Sequence, residues 1–89
     1  MTEPMLDPPI ADAAPSADGI TDYDRMHLVT YLRLLDADAE GAEPGEVAHI
    51  VLGIDPSIEP ERALRVHASH LARARWMTEH GYRHLVLGT

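Results

Sequence analysis

The sequence predicts an all-α domain: a three-helix helix-turn-helix variant with an extended turn, preceded by a disordered acidic N-terminal tail. Three observations lead there. Apolar residues recur at helical spacing over about residues 22–39, 44–52 and 60–80. Glycines and prolines punctuate those stretches, with Gly41 and Gly53 at ends and Pro44 and Pro60 at beginnings. Residues 1–20, in contrast, hold four prolines and four acids without any apolar period, too little to offset their ordering entropy. The domain proper is therefore expected over 21–89, and a chain of 89 residues allows one small domain.

The first helix opens with Thr21 as N-cap and Asp24 three residues on, a capping-box pattern, although Asp22 caps equally well. Leu28, Leu32, Leu35 and Ala39 fall on one face, with Tyr31 beside them. In the second helix Pro44 suits the first turn, Val47, Ile50 and Val51 make the buried stripe, and Gly53 supplies a left-handed cap. The connection IDPSIE exceeds an ordinary helix-turn-helix turn, with Ile54 and Ile58 expected to pin it to the core. Leu64, Ala68 and Leu71, flanked by His67 and Ala74, centre the inner face of the third helix, which Gly81 ends.

Several chemistries are excluded at this level. There is no cysteine, hence no disulfide, thiolate metal site or thiol nucleophile. His67 and His70 stand three apart and His80 and His84 four apart, but Gly81 interrupts the second pair and no third ligand follows at a suitable spacing. Ser69 and His70 are adjacent, about 100° apart around a helix, which does not make a nucleophile–base pair. No glycine-rich phosphate loop is present. The expectation is a non-enzyme with neither metal nor cofactor. Without a signal-peptide pattern or an apolar run of ~20 residues, a soluble cytoplasmic protein is expected.

Charge divides the functional readings. The formal charge is −8, from 15 acids against 7 arginines, and no lysine is present. Residues 1–61 hold 14 acids and two arginines; residues 62–89 hold one acid and five arginines. On the third helix Arg62, Arg65, Ser69, Arg73 and Trp76 share an outer face, and Arg62, Arg65 and Arg73, with Arg75 near them, form a candidate DNA-binding stripe. Opposing it, Glu43 and Glu46 start the second helix, and Asp55, Glu59 and Glu61 line the turn and the start of the third. Phosphate would meet repulsion where docking of this motif needs attraction, although acids at helix N-termini also serve the macrodipole.

The stretches LLDADAEGAEPGEVAHIVLGIDP and ERALRVHASHLARARWMTEHGYRHLV resemble the bacterial domain-of-unknown-function family 2285 over roughly residues 22–86. The closing Arg73-Ala74-Arg75-Trp76-Met77 and Gly81-Tyr82-Arg83-His84-Leu85 carry most of that likeness. The resemblance implies an extended-turn helix-turn-helix variant from transcriptional regulators of mobile elements. An acidic, single-domain chain is similar to the QseM-like antiactivators of that family. That implies inhibition, by protein contact, of activators of conjugative transfer of an integrative and conjugative element. The partners implied are the N-terminal domain of an FseA-type activator and a TraR-type regulator of the LuxR family, with no nucleic acid and no membrane. The apolar contact candidates are Tyr31 and Leu34, Trp76 and Met77, and Tyr82 and Leu85; any of these can equally serve the core.

Overall fold

The computed structural model describes residues 9–81. Among the described residues four α-helices follow one another: α1 (Asp22–Met26), α2 (Leu28–Ala39), α3 (Pro44–Leu52) and α4 (Pro60–Trp76), with a π-helical turn over Met77–Gly81. α4 packs on both α2 and α3, and α2 packs on α3, the arrangement of a helix-turn-helix domain.

Local chemistry explains most boundaries. Thr21 is extended and closes a capping box, its hydroxyl accepting from Asp24 N while Asp24 Oδ2 accepts from Thr21 N at 2.9 Å. After α2, Gly41 takes φ 75°, and Ala42 N reaches back to Ala37 O at 3.0 Å, a Schellman closure that glycine makes without Cβ strain. Glu43 caps α3, its carboxylate accepting from Gly45 N at 3.0 Å and Glu46 N at 2.9 Å. The extended turn is organised by Asp55. Its side chain accepts from Ser57 N and Oγ at 2.9 and 2.7 Å, and its carbonyl accepts from Glu59 N at 2.9 Å.

The structure differs from the sequence expectation in the rotation of the helices. α2 buries Thr30, Tyr31 and Leu34, leaving Leu32 57% exposed. α3 buries Val47, Ala48 and Leu52, and Ile50 is 81% exposed. α4 turns Ala63, Val66, His67, His70, Leu71 and Ala74 inward, with Leu64 and Ala68 outward. Close approach of α4 to its neighbours selects alanine at 63 and 74 over the larger Leu64, and hydrogen bonding allows histidine at an inner position. In the turn Ile54 is buried, whereas Ile58 is exposed and anchors nothing.

Two further differences concern the N-terminal third. The first helix is interrupted at His27 (φ −106°, ψ 19°), whose N–H is shared between Tyr23 O and Asp24 O. Its ring stacks on Tyr23 at 3.8 Å, with Nδ1 2.6 Å from Tyr23 O and Nε2 2.7 Å from Pro9 O. Residues 9–20, for which composition predicts disorder, form an extended strap along α4. Ile10 packs against the main core and Ile20 against a second cluster of Tyr31, Ala74 and Met77. Two isoleucines and the strap's own backbone polar groups supply what the missing periodicity does not.

Candidate nucleic-acid interface

The outward face of α4 follows from its rotation. Glu61, Arg65, Ala68, Ala72 and Arg75 are exposed, with Leu64 beside them. Advancing 100° per residue, these positions form one stripe along the helix. Its centre is small, so the backbone between Ala68 and Ala72 can approach another surface closely. Arg65 projects from one edge of this stripe and has no ion-pair partner among the described residues.

Arg62 and Arg75 lie on either side of Arg65 around the helix, and both are paired. Arg62 Nε lies 3.0 Å from Asp12 Oδ1 on the strap, and Arg62 Nη1 lies 3.1 Å from Glu59 Oε2. Hydrogen bonding to Asp12, then its charge, raises the Arg62 pKa above the ordinary guanidinium value. Arg75 Nη2 meets Asp38 Oδ2 of α2 at 2.8 Å. Both pairs are accessible to water, so competing anions can exchange into them.

Arg73 does not belong to the stripe, which corrects its assignment as a DNA contact. It is 5% exposed and bound to Asp24, which is wholly buried. Arg73 Nη2 and Nε donate to Asp24 Oδ2 and Oδ1 at 2.7 and 3.0 Å. Nη1 and Nη2 also donate to the carbonyls of Ala17 and Gly19 on the strap, at 2.7 and 2.8 Å. Tyr31 Oη completes the cluster, donating to Asp24 Oδ1 at 2.7 Å, and the Trp76 ring lies 4.0 Å from the guanidinium. Burial pushes the Asp24 carboxyl up, but bonds from Arg73, Thr21 and Tyr31 outweigh it and leave the pKa below the usual aspartate value. Burial first, then the bond to Asp24, raises the Tyr31 phenol. This cluster joins strap, α1, α2 and α4 and is structural; no local pattern links residues 49 positions apart.

The proposed partner-binding residues fare unevenly. Tyr31, Leu34 and Met77 have no exposed surface, so none can meet a partner on the folded domain, because all three close the core. Trp76 is half-buried and stacked on His80. It also borders an open cleft of about 380 Å³ between the strap and α4. Tyr82 and Leu85 lie outside the described residues.

The acids expected to repel phosphate have local work. Hydrogen bonds from Gly45 N and Glu46 N hold Glu43 below the usual carboxylate range, and Ser57 does the same for Asp55. Glu59 pairs with Arg62, whereas Glu46 and Glu61 stand exposed. The paired histidines of α4 face inward. His70 Nδ1 lies 2.9 Å from Val66 O, and its Nε2 lies 2.5 Å from Tyr23 Oη, which accepts in turn from Ala11 N. These contacts fit a neutral ring that donates from Nδ1 and accepts at Nε2. Burial lowers the pKa of both His67 and His70.

Among the described residues no helix is long and apolar enough to cross a membrane. No curated protein matches the chain. A family model described as "T6SS, Transcription factor, DNA binding domain" matches residues 6–86. That match overturns the expectation that the chain has no nucleic-acid partner: the expectation came from the likeness to the antiactivators and from a count of acids, many of which serve caps and ion pairs. The family is one of DNA-binding domains rather than enzymes, and its match extends into the strap. The chain belongs to the RovC DNA-binding domain family.

Proposed function

We propose that this chain binds duplex DNA as the reading module of a transcriptional regulator, presenting the outward face of α4 to the major groove. The match of the DNA-binding family model across residues 6–86 carries this reading. The geometry supports it. α3, the extended turn and α4 form the helix-turn-helix unit, and the groove, roughly 12 Å wide, admits one α-helix. Arg65 is the central cation. Ala68 and Ala72 allow close approach and can meet thymine methyl groups, and Arg62 and Arg75 reach toward phosphates on either side.

The test is fluorescence anisotropy of a labelled mixed-sequence duplex, titrated with the full chain between 50 and 200 mM salt. Three arginine–phosphate contacts give a log–log salt slope of about −3, near −0.9 per contact. Arg65→Ala should weaken binding and make the slope shallower by about one. No binding at 50 mM salt, or an Arg65→Ala variant indistinguishable from the parent, would overturn the assignment.

A second reading, antiactivation by protein contact as in the QseM-like group, is favoured by the net charge of −8 and by the accessible Trp76. It expects repression of a target promoter that survives Arg65→Ala and fails with Trp76→Ala.

A further inference from the structure

The strap takes two polar groups from one flank of α4. Asp12 Oδ1 receives Arg62 Nε at 3.0 Å, and Ser69 Oγ receives Ala14 N at 2.8 Å. Arg62 and Ser69 are seven residues apart, so they sit two turns apart on the same side of the helix, about 10 Å along its axis. Relative to Arg65 they lie about 60° and 40° around α4 in one direction, while Ala68 and Ala72 lie in the other. The strap thus borders the proposed DNA face. A guanidinium and a hydroxyl are two of the groups that contact DNA phosphates, and the strap engages both.

Its anchoring is divided between buried and exposed parts. The carbonyls of Ala17 and Gly19 are held by buried Arg73, and Ile20 packs in the second core cluster. The Asp12–Arg62 contact, in contrast, is exposed, with the aspartate side chain at 65%. The strap can give up this ion pair without detaching from the domain. An anion presented by a ligand could replace Asp12 while the Arg73 end stays in place.

We infer that the Asp12 carboxylate is an internal substitute for a DNA phosphate, holding Arg62 in an autoinhibitory contact that duplex must displace. The inference rests on the DNA-binding reading above. Glu59 also pairs with Arg62, but it lies three residues earlier at the mouth of the same helix and can remain when phosphate arrives. Asp12 belongs to a different segment and occupies the other side of the guanidinium.

The test compares Asp12→Asn with Asp22→Asn in the full chain, using the same labelled duplex and salt series. Asp22 pairs with Arg25 on α1 and changes the formal charge by the same amount, away from the α4 face. Asp12→Asn should tighten binding roughly two- to five-fold, the range for freeing an exposed ion-pair partner. The salt slope should stay near that of the parent, because Arg62 meets phosphate in both complexes once Asp12 is displaced. Asp22→Asn should leave the affinity unchanged, and the gain should vanish in an Arg62→Ala background. Circular dichroism checks that each variant retains the parent helix content. Equal gains from both asparagine variants would show a net-charge effect and overturn the inference, as would no gain from Asp12→Asn. Silence from the parent and from every variant would overturn the DNA-binding reading itself, and this inference with it.

Discussion

Replacing Asp24 with alanine should remove more stability than any other single exposed or polar change in the domain. The side chain is wholly buried, and its carboxylate receives Thr21 N, Thr21 Oγ1, Tyr31 Oη and two nitrogens of Arg73. Alanine strips the capping box and leaves a buried guanidinium without its counter-ion. Breaking a buried pair from one side costs about 3–5 kcal/mol. A domain of this size has a total stability on the order of 4–11 kcal/mol. The melting temperature should therefore fall by roughly 12–20 °C or more, at ~4–8 °C per kcal/mol for small domains. Urea denaturation followed by circular dichroism, with Asp24→Ala, Arg73→Met and the double variant, closes the cycle. The double variant leaves no unpaired buried charge, so it should be more stable than the two single losses add up to. A coupling energy under about 0.5 kcal/mol, the scale of an exposed pair, would refute the account of this cluster as buried and interdependent.

Three other outcomes follow from the structure. His67 and His70 have folded-state pKa values below the ordinary histidine value, so the unfolded chain takes up protons first as pH falls. Their contribution is complete above about pH 6.5 and is lost below it; Asp24, lowered in the fold, adds a loss only at much lower pH, through its folded pKa. Urea midpoints should therefore decline from pH 8 to pH 5, and a flat profile would contradict the burial of both rings. Gly53→Ala places a Cβ at φ 72°, where nothing lies within 4 Å, so its cost is conformational alone, about 1–2 kcal/mol by thermal melting. Ile50→Ser should change the melting point little, within about 0.5 kcal/mol, whereas Leu34→Ala should cost about 2–5 kcal/mol. Equal losses would mean that α3 presents the other face to the core.

Features set by neighbours in sequence were the legible ones. Thr21 with Asp24, Pro44 at a helix start, and Gly41 and Gly53 at positive φ each act over a few residues. Helix rotation was less legible because each helix carries apolar residues on more than one side. Leu32, Ile50 and Leu64 outweigh Thr30, Ala48 and Ala63 in hydrophobicity, yet packing distance and hydrogen bonding turned the smaller or more polar residues inward. The break at His27 has no glycine or proline to mark it. The strap and the Asp24–Arg73 pair depend on contacts across roughly 50 positions, which no local period encodes. Of the candidate stripe, Arg62 and Arg65 could be placed from helical spacing alone. Arg73 shares that spacing but lies under the strap.

Counting charges misled for a reason that bears on how DNA binding is tested. A net charge of −8 acts as a unit only at distances where salt does not screen it. The Debye length is about 30 Å at 0.01 M and about 8 Å at 0.15 M. In dilute salt the distant acids, including Asp22 on α1 and Asp36 on α2, join in repelling the duplex. Near physiological salt they are screened, and what remains is the near field of Arg62, Arg65 and Arg75 against Asp12, Glu59, Glu61 and Asp38. Counterion release favours binding as salt falls, while unscreened repulsion opposes it, so the two trends pull in opposite directions. The log–log affinity plot should run straight between 50 and 200 mM and bend toward a plateau near 10 mM. A line that stays straight to 10 mM would mean that the acids exert no long-range field at the duplex. The local ion pairs would then have neutralised more of the surface than the formal charge implies.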